Sequence, residues 1–242
     1  MLYKYIAAAT LIPIVAGTLL TYSRGAGLTL VAILIALMIM RVLPVWKTIL
    51  FGALAYLVIL IFLPGFAYRF ASVVDVAALF GDNVEEADGA IRGRATVNLV
   101  GIQIMMQNPI LGVGPGQSPL YTRKIGNEIG FRYLETDRRL HNMYLEEAAD
   151  TGLIGLTVFL GIVVLTLKQL NDVRVKWRGK HPEYYYIAIG LMLAIFAYLA
   201  MAVFLHLSYV RYYWFLLALA GAGARILLNQ SDPAESPQGQ SS

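Results

Sequence analysis

The chain changes character within one stretch, DRRLHNMYLEEAADTGLIGL, which runs from Asp137 to Leu156. Two arginines and a histidine lead into a short acidic segment, Gly152 follows it, and the sequence then becomes apolar. Helical periodicity predicts a short helix over His141–Asp150. Its apolar face would consist of Leu145, Ala148, Ala149 and Gly152. The most polar chemistry of the chain therefore stands directly before a predicted membrane span.

The composition is typical of a membrane protein. Of the 242 residues, 58% are hydrophobic and 14% are charged, whereas soluble domains have about 45–50% and about 25%. The chain has no cysteine, which excludes a disulfide framework, a thiolate metal site and a cysteine nucleophile. The net charge of +4 is modest and the basic residues are scattered, so we expect no nucleic-acid partner.

Apolar stretches of spanning length predict an all-α, polytopic membrane protein with about six transmembrane helices. The six predicted spans are Tyr3–Thr21, Ala26–Met40, Thr48–Leu63, Leu153–Leu167, Tyr185–His206 and Tyr209–Leu228. A long, partly helical segment, about residues 64–151, separates the third span from the fourth. Residues 1–228 form the predicted membrane domain, and the polar residues 229–242 are predicted to be a disordered tail.

Lysine and arginine in short loops predict the orientation, because cytoplasmic loops carry more of them. One side of the six spans has only Arg24 and Arg211 in its short loops. The other side has Lys4, Arg41, Lys47, Lys168, Arg174, Lys176, Arg178, Lys180 and Arg225. Both termini are therefore predicted to be cytoplasmic, and residues 64–151 extracytoplasmic.

The outer segment contains two further patterns. A helix is predicted from Arg94 to Gln107, with Val97, Val100 and Ile104 on one side, and Pro109 ends it. The following stretch, NPILGVGPGQSP, is dense in glycine and proline and predicts turns. It matches neither the dinucleotide-binding fingerprint nor the P-loop, so we do not interpret it as a phosphate loop.

His141 is the first candidate for chemistry. A single histidine is more often a structural hydrogen-bonding group than a catalyst. Here, however, it lies beside Arg138 and Arg139, whose charges lower an imidazole pKa and favour the neutral form. Neutral imidazole is the form that acts as a general base.

Arginines near the predicted outer surface are candidates for an anion site, because the guanidinium fork suits phosphate. Arg24 follows Ser23, a predicted cap of the second span, and its alternative interpretation is an interfacial anchor. Arg92 and Arg94 begin the predicted outer helix, with a solvated loop as the alternative. Arg211 lies in the last outer turn, where it binds the same anion or only anchors its helix.

Three motifs resemble the O-antigen ligase and O-antigen polymerase superfamily of bacterial inner-membrane glycosyltransferases. The most specific is His141-Asn142, nine residues and then GLIGL, which is similar to the ligase pattern His-Asn-x9-Gly-x-x-Gly-aliphatic. NPILGVGPGQ at Asn108–Gln117 and YSRGAGL at Tyr22–Leu28 resemble two further family segments. The order of the motifs and the long outer segment also agree.

The resemblance implies transfer of a glycan from an undecaprenyl-diphosphate carrier to an acceptor sugar, on the periplasmic side of the inner membrane. It implies no cofactor and no metal. His141 would be the base, and Arg24 and Arg94 would hold the lipid diphosphate. The residues expected to help bind substrate are Arg92, Arg138, Arg139, Arg211 and Asn142. The expected partners are the lipid-linked donor, a lipid or glycan acceptor, and membrane lipids.

Two features depart from the family pattern. Members usually have ten or more spans, so this chain resembles their C-terminal half, and it has Asn98 where members commonly carry tryptophan. The alternative interpretation is a transporter, or a non-catalytic scaffold or fragment of such an enzyme. Transporters usually place polar groups at the bilayer midplane, whereas the polar groups here collect outside the spans. The histidine motif favours a ligase, and a polymerase stays open.

Overall fold

The computed structural model describes residues 2–62, 65, 89–129 and 133–231, and all regular structure within these ranges is helical. The helices are α1 (Leu2–Leu20), α2 (Arg24–Ile39), α3 (Val45–Phe62), α4 (Gly89–Gln107), α5 (Pro119–Ile129), α6 (Met143–Trp177), α7 (Pro182–Ala202) and α8 (Arg211–Asn229). The predicted all-α class is thus confirmed for the described residues. The predicted disorder of the tail concerns residues that lie almost entirely outside those ranges.

Two described helices, α6 and α7, are long and apolar enough to cross a membrane. Helices α2 and α3 are apolar but shorter. Each of the six predicted spans coincides with a helix, so the positions of these segments were predicted well. The number of spans and their orientation stay predictions.

The chain divides into two compact units. The first consists of Met1–Leu156 and Ala197–Ser208, and the second of Thr157–Phe196 and Tyr209–Ser242. The candidate site residues, apart from Arg211, belong to the first unit.

An apolar core in the first unit is built on α4. Buried positions recur along one side of this helix at the three- and four-residue spacing of an amphipathic helix. Side chains from α5, from the segment after it and from α6 complete the cluster. Its buried members are Val97, Val100, Ile104, Ile125, Leu134, Leu140 and Ala149. Burial of a large aliphatic side chain contributes about 1.5–3 kcal/mol, so this core holds α4, α5 and the start of α6 together.

Helix α5 was not predicted from the sequence. Its residues are more polar than those of α4, and only Thr122, Ile125 and Gly126 are buried. The buried residues recur at the three- and four-residue spacing of an amphipathic helix, and this face packs against α4. Its place in the fold matters because it holds the segment that leads to His141.

Helix α6 is interrupted at Gly152, where φ is 67° and ψ is −168°. The glycine-rich turn docks at this break. Val113 and Gly114 donate backbone hydrogen bonds to the carbonyls of Ala149 and Asp150, at 3.0 and 2.9 Å, and Leu153 donates one to Pro109 at 2.8 Å. The turn therefore satisfies backbone groups that the interrupted helix leaves unpaired.

The side chain of Asp150 also bonds the glycine-rich turn. Its carboxylate is buried and accepts hydrogen bonds from the backbone N–H groups of Gly116 and Ser118, each at 2.9 Å. The predicted turn conformation of GVGPG is confirmed, since Gly112, Gly114 and Gly116 all have positive φ. The turn closes on the protein's own carboxylate.

In the second unit, the end of α6 is tied to the end of α8. The indole N–H of Trp177 donates to the Leu227 carbonyl at 3.0 Å. The Lys176 ammonium donates to the carbonyls of Leu228 and Gln230, at 2.6 and 2.8 Å. These carbonyls are ones that a helix C-terminus leaves without intrahelical partners, so the two side chains cap α8.

Candidate functional site

The segment before α6 is positioned by α5. Leu134 N–H donates to the side-chain oxygen of Asn127 at 2.7 Å, and Arg138 N–H donates to the Thr122 hydroxyl at 2.8 Å. Arg123 and Asp137 form an exposed ion pair at 3.7 Å. These contacts hold the backbone from which the Arg138 and Arg139 side chains extend into solvent.

Asn142 caps the N-terminus of α6. Its side-chain oxygen accepts hydrogen bonds from the N–H groups of Tyr144 and Leu145, at 2.9 and 3.1 Å. Asparagine is among the preferred N-cap residues, because its side chain satisfies N–H groups that the first turn leaves free. The helix therefore begins at Met143, and the expectation that His141 is carried on it was wrong. His141 lies ahead of the cap, at the end of the extended segment.

Arg94 approaches His141 from α4. Residues seven positions apart share a helix face, and Gly101, seven residues after Arg94, packs against the segment that carries His141. A Cβ atom at Gly101 would lie 2.8 Å from Cδ1 of Leu140, the residue before His141. The Arg94 charge acts on the His141 imidazole, as does that of Arg138.

A second imidazole lies at the same place. Helix α7 ends at Ala202, earlier than the predicted span, which leaves His206 in a turn. The His141 and His206 rings are 5.8 Å apart between centroids, in an edge-to-face arrangement of 65°. The buried Nδ1 atom of each ring has no hydrogen-bond partner among the described residues.

The turn that carries His206 is fixed to α6 and α7. The Ser208 hydroxyl donates to the Met143 carbonyl at 3.2 Å, and the Tyr144 hydroxyl donates to the Leu199 carbonyl at 2.9 Å. The Tyr198 hydroxyl donates to Leu207 at 3.0 Å. His206 is therefore held next to His141 by bonds on both sides of it.

Burial and nearby cations both lower the pKa of the two histidines. Burial is the largest cause that lowers the pKa of His141 from its ordinary value of 6.5, followed by Arg94, His206 and Arg138. Burial and then Arg139 lower the pKa of His206. Both rings are thus predominantly neutral at pH 7. The sequence predicted this direction for His141 from its cationic neighbours, whereas desolvation is the stronger cause.

Glu146 is a buried carboxyl group in the first turns of α6, ahead of the apolar part that begins at Leu153. Burial raises its pKa, and a hydrogen bond from Ser208 is the main opposing influence. Its Oε2 atom has no partner among the described residues. This side chain supports the turn 203–208 and was not recognised from the sequence.

Arg24 begins α2, and Ser23 caps that helix as predicted, accepting a hydrogen bond from Ala26 N–H at 3.4 Å. A Cβ atom at Gly25 would lie 3.1 Å from the side chain of Phe204, which belongs to the turn with His206. The N-terminus of α2 is therefore adjacent to that turn.

The remaining candidates have different surroundings. Arg92 lies in the first turn of α4, and its buried Nε has no hydrogen-bond partner among the described residues. Asn98 follows Arg94 by one helical turn, and its buried Oδ1 likewise has no partner within the described ranges. Arg211 is the first residue of α8 in the second unit, where it is exposed. Its role in substrate binding stays a prediction.

An open, mostly apolar groove of about 470 Å³ lies on another side of α4. It is lined by Leu99, Ile102, Gln103, Met106, Gln107 and Ile129. None of these residues is on the Arg94 face of the helix, so we separate the groove from the histidine site. The described residues contain no group of three His, Asp or Glu side chains placed to hold a metal ion.

His206 is the site residue that the sequence analysis missed. It is one of only three histidines, and it ends the fifth predicted span, beside the last predicted outer turn. A signal was present, since the predicted topology places that turn on the same side as His141. What pattern alone did not reveal was that two segments distant in sequence meet.

The fold and the site define a class: a helical protein with membrane-spanning elements and an exposed cluster of arginines around two neutral imidazoles. The family model described as O-antigen ligase matches residues 9–160, and the chain belongs to this family. No curated protein and no solved structure gives a match. Family membership identifies a membrane glycosyltransferase-type enzyme that acts on lipid-linked glycans.

Proposed function

We propose that this protein transfers a glycan from an undecaprenyl-diphosphate carrier to an acceptor sugar on the periplasmic face of the bacterial inner membrane. The observation that carries the proposal is the surroundings of His141. It is a half-buried imidazole with a lowered pKa, and the charges of Arg94 and Arg138 act on it. A neutral base beside fixed cations suits attack on a sugar that is bonded to a diphosphate.

In the proposed reaction, His141 removes the proton from the acceptor hydroxyl as its oxygen attacks the anomeric carbon of the donor glycan. A new glycosidic bond forms as the bond from that carbon to the diphosphate oxygen breaks. The bonding electrons leave with the lipid diphosphate, and attack from the opposite face inverts the anomeric configuration. The chemistry needs one base and stabilisation of the leaving group.

Arginines would supply that stabilisation. Negative charge grows on the departing diphosphate, and fixed cations near it lower the energy of the transition state. Arg94 and Arg24 are proposed to contact the diphosphate, with Arg92, Arg138 and Arg139 adding to the positive field. Arginine donors match phosphate oxygens in pairs, which also orients the leaving group.

The membrane explains why the site stands at the end of a span. The donor's lipid tail stays in the bilayer, so the sugar–phosphate bond is presented at the membrane surface. His141 precedes α6, whose apolar part begins at Leu153. We propose six spans with both termini in the cytoplasm and residues 64–151 in the periplasm. Transporters usually bind substrates near the midplane instead.

The first prediction tests His141 as the base. His141→Ala should lower glycan transfer by about 10²–10⁴-fold, the usual contribution of a general base, and leave binding of undecaprenyl diphosphate nearly unchanged. Transfer is measured in proteoliposomes with an undecaprenyl-diphosphate-linked glycan. A lipid A–core acceptor and a second lipid-linked repeat unit are supplied in parallel, which distinguishes a ligase from a polymerase.

Arg94→Ala should weaken binding of undecaprenyl diphosphate as well as transfer, and Arg94→Lys should restore little, because a point charge does not replace the guanidinium fork.

His181→Ala is the matched control for His141→Ala, since this histidine packs against Trp177 in the second unit. If His141→Ala retains most of the transfer rate while its abundance is normal, the assignment of the base is wrong.

A further inference from the structure

The proposed reaction assigns a role to His141 but none to His206, which lies beside it. One imidazole suffices as a base, yet the structure brings two together from separate segments of the first unit. The second is held in place by a buried network around Ser208 and Tyr144. A ring held this firmly, with a buried nitrogen that lacks a partner in the described part of the chain, requires an explanation.

Hydrogen-bonding capacity provides that explanation. A neutral imidazole has one nitrogen that donates and one that accepts. Two neutral rings therefore offer a donor and an acceptor to the same ligand, which two imidazolium ions would not. A hydroxyl group needs this combination, because it donates one hydrogen bond and accepts others.

The separation of the rings fits a single oxygen between them. One oxygen that makes hydrogen bonds of about 2.8 Å on two sides bridges nitrogens up to about 5.6 Å apart. The ring centroids are 5.8 Å apart, which is close enough for nitrogens turned toward one shared oxygen to contact it from two sides.

We propose that His206 is a second substrate-contacting histidine, which donates an N–H hydrogen bond to the same acceptor hydroxyl oxygen whose proton His141 removes. The proposal rests on the glycosyl transfer proposed above and adds a residue to it. His206 would hold the oxygen so that its remaining lone pair points at the anomeric carbon. Orientation of a nucleophile in this way is a recognised source of rate enhancement.

The charges around the pair are consistent with His141 as the base and His206 as the hydrogen-bond donor. The charges of Arg94 and Arg138 act on His141, and that of Arg139 acts on His206. These cations and burial keep both rings neutral, the state in which one accepts a proton and the other donates a hydrogen bond. Glu146, the buried carboxyl group nearby, is engaged with Ser208.

Two substitutions at position 206 distinguish the effect of the N–H donor from the effect of the aromatic ring. His206→Phe keeps an aromatic ring beside His141 and removes the N–H donor, so kcat/KM for the acceptor should fall by roughly tenfold or more, the value of one hydrogen bond. His206→Gln keeps an amide N–H and should recover most of the loss. Binding of undecaprenyl diphosphate should stay within about twofold of wild type in both, since the proposed contact of His206 is with the acceptor hydroxyl and not with the diphosphate.

His181→Phe is the control for replacing a histidine ring by phenylalanine. His181 also packs edge-to-face on an aromatic ring, Trp177, at 5.2 Å, but it lies in the second unit. This variant should transfer glycan at the wild-type rate. The assay uses the full chain in proteoliposomes with the donor and the two acceptors named above.

A second measurement does not depend on any variant. Diethyl pyrocarbonate modifies neutral imidazoles, and mass spectrometry reports each histidine separately. The lipid A–core or lipid-linked acceptor that supports transfer should protect both His141 and His206 from modification, and should leave His181 unprotected. Undecaprenyl diphosphate alone should protect His206 less than the acceptor does.

Several results would overturn the proposal for His206. They are wild-type transfer by His206→Phe, equal losses in His206→Phe and His206→Gln, loss of undecaprenyl diphosphate binding in His206→Phe, and failure of the acceptor to protect His206. If only these occur while His141→Ala abolishes transfer, the proposed function stands and the second histidine is not part of it. If His141→Ala transfers normally, the proposed function itself fails.

Discussion

At the scale of single residues, one set of arginines serves two needs of the proposed chemistry. Cations beside His141 disfavour imidazolium, which keeps the base available at neutral pH. In the proposed reaction, the same cations would attract the diphosphate of the donor. Burial contributes more to the neutral state than the charges do, because the ring is partly removed from water. The candidate base is thus set by its packing first and by its charged neighbours second.

A pH dependence follows from this order of causes. The folded pKa of His141 lies below 6.5, so protonation that stops transfer occurs as the pH falls below about 6.5. Arg94→Gln removes a cation and should raise that pKa, which moves the loss of neutral His141 to higher pH. Site-resolved reaction of His141 with diethyl pyrocarbonate as a function of pH measures the shift. Burial is unchanged, so the pKa should still stay below the ordinary value.

Lys124→Gln is the control for the loss of one positive charge, because this exposed side chain of α5 is not among the groups that act on His141. It should leave the titration in place. The lowered pKa also makes the stability of the fold depend on pH. A histidine whose pKa is lowered on folding stabilises the fold above pH 6.5, and this contribution is lost as the pH falls through the folded pKa. A titration of His141 in Arg94→Gln identical to that of wild type would show that Arg94 does not face the ring.

At the scale of elements, the break in α6 and the glycine-rich turn form one structural device. Gly152 has a backbone conformation that only glycine adopts easily, and the Ile110 carbonyl lies where a Cβ atom would stand. The turn contacts the break through its backbone and through Asp150. The glycine-rich turn and the glycine at the break in α6 therefore depend on each other, because the backbone of each occupies the position where a Cβ atom on the other would lie.

Gly152→Ala should therefore destabilise the protein substantially. The unfavourable backbone conformation alone costs about 1–3 kcal/mol, and the clash with Ile110 adds to it. Gly161→Ala is the matched control, because Gly161 is a helical residue of α6 with open space around it and alanine favours a helix. Thermal unfolding in detergent compares the two variants. Equal stabilities would contradict the close contact at Gly152.

At the scale of the whole molecule, the exposed surface of several helices is apolar. Large side chains stay exposed along α3 and along the part of α6 after Gly152, among them Ile49, Phe51, Leu57, Val158 and Val164. Contiguous apolar surface of this extent marks an interaction surface, and in a chain of this composition lipid is the natural partner. Helices α4 and α5 differ, because one face of each packs into a shared apolar core.

The orientation in the membrane is tested with two single cysteines, which is straightforward because the chain has none. Cysteine at Gln117 should react with a membrane-impermeant reagent in intact spheroplasts, and cysteine at Gly179 should react only after the membrane is opened. Both positions are exposed, so access across the bilayer decides the result. The opposite pattern would place His141 in the cytoplasm and overturn the proposed site.

Much of this protein was determined by local sequence alone. Apolar stretches of sufficient length predicted the positions of the helices that coincide with the six proposed spans, since such stretches favour helices whatever their neighbours are. Ser23 as a cap and the turns at Gly112, Gly114 and Gly116 were likewise predicted, because capping and positive φ depend on the residue itself. His141, Arg24 and Arg94 were named as candidates from short motifs and from their positions beside predicted spans.

Tertiary structure decided the rest. Asn142 is a cap ahead of α6, and His206 lies beside His141 in a turn that Ser208 bonds to the start of α6. Each of these features depends on contacts between residues that no periodic pattern links. Burial, the largest cause of the lowered pKa of both histidines, is itself a property of packing. A motif therefore indicated His141 as the proposed base, whereas the folded chain placed His206 beside it and lowered its pKa.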